Sequence, residues 1–173
     1  FKAIKKEIKK SKNEDISDLQ ELYSKLYEVN SVKSSVFSSH FNHCPSIDIV
    51  RDFGYNLRTS IKLPFVEIIY ALKIEKEFTV EECMKMLFMN SDYLNGNIGI
   101  KEASKYYFKM DLKDLSQREK LTLIAMFVNP SNFDPIRRPE KVKSKVALFE
   151  KIIKKQNKLK ICTEKFNNTC KTN

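Results

Sequence analysis

Glycine is scarce and tryptophan absent: three Gly in 173 residues, beside abundant Lys, Leu, Ile and Glu. That balance disfavours a turn-rich β architecture and points to helix. No apolar run approaches the roughly 20 residues that cross a bilayer. The chain opens on Phe1 rather than Met, so the expectation is a trimmed fragment, with any signal or anchor segment preceding Phe1. Its four cysteines, Cys44, Cys83, Cys162 and Cys170, lack the spacing of metal ligands. His40, His43 and Cys44 lie close together but have no second ligand pair elsewhere, so a structural or surface role is expected and no metal site. In an extracytoplasmic domain Cys162 could pair with Cys170 across a short loop; spacing alone does not set connectivity. No internal repeat is present.

What the chain has in excess is positive charge, a formal +10. Lys2, Lys5, Lys6, Lys9, Lys10 and Lys12 gather at the front, and Lys151, Lys154, Lys155, Lys158 and Lys160 at the back. Solvated helix faces are the default reading of such runs. Nucleic acid, an anionic membrane surface and a phosphate-bearing substrate are the partners that fit. No recognition-helix or aromatic-platform pattern accompanies the lysines, which argues against nucleic acid. The length suits one domain that buries about 70% of its unfolded surface, expected over 1–157, with a polar basic tail over 158–173.

Apolar spacing sets the elements. Leu19, Leu22, Tyr23, Leu26 and Tyr27 recur on one helical face behind a capping-box pattern, Ser17 to Gln20. Ser31 to Cys44 reads as loop. Pro45-Ser46 starts a helix carrying Ile47, Val50 and Phe53, with Gly54 near its end. A longer helix is expected from Pro64 to about Lys76, its apolar side formed by Phe65, Ile68, Ile69, Leu72 and the stem of Lys73. Thr79 to Glu82 is a second capping box, before Val80, Cys83, Met84, Leu87 and Phe88. Asn95-Gly96 has no alternating strands beside it and is read as a helix-to-helix turn. Ser116 to Glu119 is a third capping box, before Leu121, Ile124, Ala125 and Val128. Pro139 opens a last helix with Val142, Val146, Phe149 and Ile153 inward. The fold class is all-α.

From Leu87 to Phe149 the order of stops and caps is specific: Asn90, Tyr93, Asn95-Gly96, Gly99-Ile100, Tyr106-Tyr107-Phe108, Ser116 to Glu119, Asn129-Pro130-Ser131, Asp134-Pro135 and Arg138-Pro139-Glu140. Upstream, Glu67 and Glu75 stand eight positions apart on one helix, a little over two turns. This ordered set resembles glycosyltransferase family 51, the peptidoglycan transglycosylases that polymerise lipid II. The resemblance implies a lysozyme-like helical domain. It also implies that Glu67 is the second catalytic carboxylate, beside the donor's pyrophosphate, and that Glu75 is structural.

The N-terminal half departs from the family. The family's Arg-Lys before the glutamate falls on Leu63-Pro64, with Arg58 and Lys62 nearby as displaced substitutes. Its Gln-Gln-Leu-x-Lys-Asn falls on Ile47-Asp48-Ile49-Val50-Arg51-Asp52. Arg51 keeps the charge of a phosphate-contacting Lys and offers a bidentate fork, while neither Gln survives. The family's first motif, Glu-Asp-x-x-Phe-x-x-His-x-Gly, supplies the general base. Glu14-Asp15 is the Glu-Asp pair at a comparable distance, without the Phe, His or Gly, so the base is unassigned and Glu14 is a weak candidate. A glycine expected after Tyr107-Phe108 is Lys109 here.

The resemblance thus implies a divergent peptidoglycan glycosyltransferase acting on lipid II at the outer face of the cytoplasmic membrane. The alternative is an inactive member that binds lipid II, glycan or a cell-wall synthesis protein. A divalent cation (Mg) accompanying the substrate's pyrophosphate is the cofactor expectation.

Overall fold

Eight α-helices are seen among the residues that the computed structural model describes, namely 1–27, 45–53 and 66–169, with side chains described as far as residue 158. They are α1 (Lys2–Ser11), α2 (Ser17–Tyr27), α3 (Pro45–Phe53), α4 (Val66–Glu75), α5 (Val80–Asn90), α6 (Ile100–Phe108), α7 (Gln117–Val128) and α8 (Pro139–Thr169), with a 3-10 turn at Leu112–Asp114. No sheet forms among these residues; one isolated antiparallel bridge joins Asp92 and Ile98. No helix among them is long and apolar enough to cross a membrane.

The centre is α5, which buries Cys83, Met84, Met86, Leu87 and Phe88. Helices α1, α3, α2 and α6 all pack against it. Phe88 stands edge-on to Tyr23 of α2 at 5.5 Å and lies 4.4 Å from the Phe127 ring of α7. Aromatic pairs at such separations add to simple area burial. Helix α8 closes this side, packing on α7 and α2 through Val142, Val146, Phe149 and Ile153, all buried. It continues as helix through Thr169, past residue 158. Front helix α1 is not merely a solvated lysine face: Ile4 and Ile8 are buried against α5.

Two of the three expected capping boxes form. Thr79 Oγ1 accepts from the Glu82 amide at 3.2 Å while Glu82 Oε2 accepts from the Thr79 amide at 2.9 Å. Ser116 and Glu119 exchange the same pair of bonds. At α2 the arrangement differs. Asp15 Oδ1 accepts from the Ser17 amide and hydroxyl, and Gln20 donates instead to the Glu81 carbonyl at 2.7 Å. The carboxylate two residues upstream takes the cap, which frees Gln20 to tie α2 to α5.

Between α5 and α6 the chain reverses through Leu94, Asn95 and Gly96, all at positive φ, so Asn95-Gly96 is a turn between helices. Gly99 is required sterically: a Cβ there would stand 2.4 Å from the Met89 carbonyl oxygen. Two apolar assignments differ from the sequence expectation. Val128 is 44% exposed at the end of α7, and Ile69 is 47% exposed on α4. The buried line of α4 runs instead through Ala71 and Ile74. Pro64, Phe65, Gly54 and Ser31 to Cys44 lie outside the described residues.

Candidate functional site

Helices α3 and α4 form the seam on which the site residues sit. Pro45 occupies the first position of α3, where its missing amide costs no intrahelical bond. From there Ser46, Ile47, Ile49 and Val50 turn inward. At about 100° per residue, the remaining arc carries Asp48, Arg51 and Asp52, of which Arg51 and Asp52 are exposed and Asp48 is half-buried. On α4, Glu67, Ala71 and Ile74 follow one another at i, i+4 and i+7, so Glu67 opens the same stripe that Ala71 and Ile74 bury. Ala71, fully buried, is small enough to let the two helices approach.

Two side-chain contacts fix their register. Ser46 Oγ donates to Glu75 Oε1 at 2.7 Å, and Arg51 Nε donates to Glu67 Oε2 at 3.4 Å. The start of α3 meets the end of α4, and the end of α3 meets the start of α4, so the helices run antiparallel. The Arg51 side chain is 44% exposed and that of Glu67 39%. The pair is therefore bonded and yet reachable from solvent. Glu75 is held by Ser46 within the fold.

Asp48 lies one helical turn before Arg51. Burial, aided by repulsion from Asp52, lifts its carboxyl from the ordinary value to about 6, against the opposing pull of Arg51. Asp52 is displaced upward as well, chiefly by burial, with Arg51 again opposing. Asp48 also helps to raise the Tyr23 hydroxyl of α2, which burial chiefly raises, so the charge of α3 is felt in the core. Sequence reading passed over Asp48. The available clue was a carboxylate at a position where the family pattern carries an uncharged Gln, one turn before the retained cation.

Of the residues expected at the site, Arg51 and Glu67 are brought together. Arg58 and Lys62 lie outside the described residues. Glu14, in the connection between α1 and α2, is engaged elsewhere: its carboxylate takes the ammonium of Lys101 on α6. The seam also opens into a cavity of about 690 Å³ at its Glu75 end, lined by Ser46, Glu75, Lys76, Glu77, Phe78 and Glu81 among others. Glu67 is not among its lining residues. Among its described lining residues Glu75, Glu77 and Glu81 outnumber the lone cation Lys76, a balance that does not suit a phosphate. Among the described residues no group of three or more His, Cys, Asp or Glu is placed to hold a metal ion.

What the seam offers chemically is a guanidinium beside a solvent-reachable carboxylate, with a second, proton-retaining carboxylate one turn away. Arginine presents a planar fork suited to phosphate oxygens, and charge-assisted bonds of that kind are the strong ones.

Residues 50–154 match the family model described as transglycosylase. Over 79 residues the chain is 33% identical to penicillin-binding protein 1F of Bacillus subtilis (strain 168), covering 46% of this chain and 11% of the relative. It is 28% identical over 102 residues to penicillin-binding protein 4 of the same strain, covering 56% and 16%. Penicillin-binding protein 1A of Clostridium botulinum (strain Hall) is 32% identical over 88 residues, 50% of this chain and 10% of the relative. The matched part thus spans only a small fraction of the length of these relatives.

Proposed function

Because the chain belongs to the transglycosylase family, glycosyltransferase family 51, we propose that it is a peptidoglycan glycosyltransferase that extends glycan strands from lipid II. Its fold is the lysozyme-like helical type of that family. The observation that carries the functional reading is the Arg51–Glu67 contact across the α3–α4 seam, inside the span matched by the family. Arg51 receives the donor's pyrophosphate, with Arg58 and Lys62 as further cations for it. Diphosphate oxygens compete with Glu67 for the guanidinium, and the displaced carboxylate stands beside the departing group. Stabilising charge where it develops in the transition state is the larger part of such catalysis.

The reaction belongs at the outer face of the cytoplasmic membrane, with an anchor preceding Phe1. A formal charge of +10 supports attraction to an anionic lipid surface, weakening with salt. A divalent cation would arrive with the substrate's pyrophosphate; the described residues make no ligand group for it, and no step is assigned to it. The test is lipid II polymerisation by the membrane-anchored protein. Wild type forms glycan strands, and Glu67→Gln slows their formation by at least about 100-fold. Absence of strands from the wild type, across lipid detergents and divalent metals, overturns the reading.

One observation favours a second reading, a non-catalytic member that binds lipid II, glycan or a cell-wall synthesis protein. Glu14, the acid offered by the degenerate first motif, is tied to Lys101 on α6. Saturable lipid II binding by a protein that makes no strands supports this alternative.

A further inference from the structure

We propose that Ser46 is a positioning residue for the transfer. Its bond to Glu75 sets how α4 lies on α3 and so places the Glu67 carboxylate beside Arg51; this rests on the transglycosylase reading. Ser46 stands in the first turn of α3, and Glu75 is the last residue of α4. Ser46 is 2% exposed, and its Oγ donates to Glu75 Oε1 at 2.7 Å. A hydroxyl bonded to a carboxylate at that distance makes one of the stronger, charge-assisted hydrogen bonds. An acid in the last turn of a helix works against that helix's dipole, whereas the first turn of a helix favours negative charge. Glu75 is thus ill-suited to the end of α4 by itself and well suited to the start of α3, where its bond to Ser46 brings it.

The Arg51–Glu67 contact is longer, 3.4 Å between side chains that are 44% and 39% exposed. Exposed ion pairs of that kind contribute little and are too weak to set the lie of a helix. Among the described elements α4 packs mainly on α3, and α3 packs in turn on α5. The place of Glu67 is therefore inherited from the core through α3. Apolar burial is non-directional, so Ala71 and Ile74 leave α4 latitude to slide or turn on α3. The directional bond from Ser46 removes that latitude. Glu77, two residues on, pairs with Lys5 of α1, so this end of α4 is held from two sides while Glu67 stands two turns away. A slip of one residue would turn Glu67 by about 100° and shift it by about 1.5 Å. Displacement of a reacting group by about 1 Å can cost about 100-fold in rate.

Which kinetic term suffers follows from the helix that each residue occupies. Arg51, which receives the pyrophosphate, belongs to α3 and stays with the core when the Ser46–Glu75 bond is lost. Glu67 belongs to α4 and moves. Ser46 and Glu75 both line the cavity at that end of the seam, which leaves a released carboxylate room to turn away. Substrate binding should persist while the chemical step slows, because the displaced interaction is the one made in the transition state.

The experiment compares wild type, Ser46→Ala, Ser46→Thr, Glu67→Gln and the double variant of Ser46→Ala with Glu67→Gln in the membrane-anchored protein. It measures kcat and KM for strand formation from lipid II, together with thermal unfolding. Ser46→Ala should lose at least about 10-fold in kcat with KM little changed. Ser46→Thr, which keeps the hydroxyl, should recover most of the loss. On the Glu67→Gln background Ser46→Ala should cost nothing further, because its effect passes through Glu67. A merely structural Ser46 would lower the unfolding temperature and leave the kcat of the folded protein alone. A Ser46→Ala protein with full kcat, or with the same fractional loss whether or not Glu67 is present, overturns the assignment and leaves the transglycosylase reading intact. Should Ser46→Ala not fold, Glu75→Gln decides, since it keeps the shape and exchanges the charge-assisted bond for a neutral one. A lowered kcat at unchanged KM then upholds the assignment, and an unchanged kcat overturns it. A wild type that makes no strands overturns both.

Discussion

At the scale of single residues, the α3–α4 seam makes a statement about stability as well as chemistry. A carboxyl whose value is raised on folding, as at Asp48, is held more tightly as the neutral acid by the native state. Its favourable contribution is complete below the ordinary value of 3.8 and is lost as pH climbs through about 6. Above that the buried charge costs on the order of 3 kcal/mol. Asp48→Asn should therefore stabilise the protein at neutral pH, with the gain fading as pH falls from about 6 and absent below the ordinary value of 3.8, as read from urea midpoints of the two proteins across pH. Glu82 works in the opposite sense. Bonds from Lys12 and the Thr79 amide hold it below its ordinary value, so its contribution is present above about 4.5 and disappears in acid. Comparing variant with wild type at each pH cancels that second effect.

Among elements, the caps are local devices and carry local costs. Thr79→Ala removes the oxygen that satisfies the Glu82 amide and should cost about 1 kcal/mol in thermal or urea unfolding, with restoration by Ser. The same locality explains what could be read ahead. Boxes at Thr79 and Ser116, the Gly99 entry to α6 and the inward face of α8 follow from spacings within one or two turns. Where partners are distant in sequence, the reading departed. Gln20 serves α5 rather than its own helix start, where Asp15 accepts from the Ser17 amide and hydroxyl. Ile4 and Ile8 were hidden among lysines, and only α5 gives their face a purpose. Helix α4 is apolar on nearly every side, so its sequence could not say that Ala71 and Ile74, rather than Ile69, meet α3. At the candidate site, motif spacing names Arg51 and Glu67, whose side chains meet. Asp48 was not legible, because its special character comes from burial and from Asp52. Lys109 stands where the family expects glycine, and its φ of 58° keeps the left-handed helix stop without the residue that adopts it most readily.

For the molecule as a whole, α5 is the hub against which α1, α2, α3 and α6 pack. Phe88 is fully buried and joins α2 and α7 through its ring contacts. Phe88→Ala should cost about 3–5 kcal/mol. Because the three helices share that ring, the loss should appear in one global transition, with fluorescence and circular dichroism midpoints falling together. Relatives of this domain are far longer than the part matched here.

The two fastenings along α3 and α4 have a mechanical corollary. Ser46 grips Glu75 at one end and Arg51 grips Glu67 at the other, eight residues apart on α4, about 12 Å of rise. A sliding displacement of either helix must undo both grips together, whereas a splaying motion can release the Arg51 end and pivot on Ser46. Of the two grips, the 3.4 Å one at Arg51 is the longer, so the seam is weaker against gaping at that end than at Ser46.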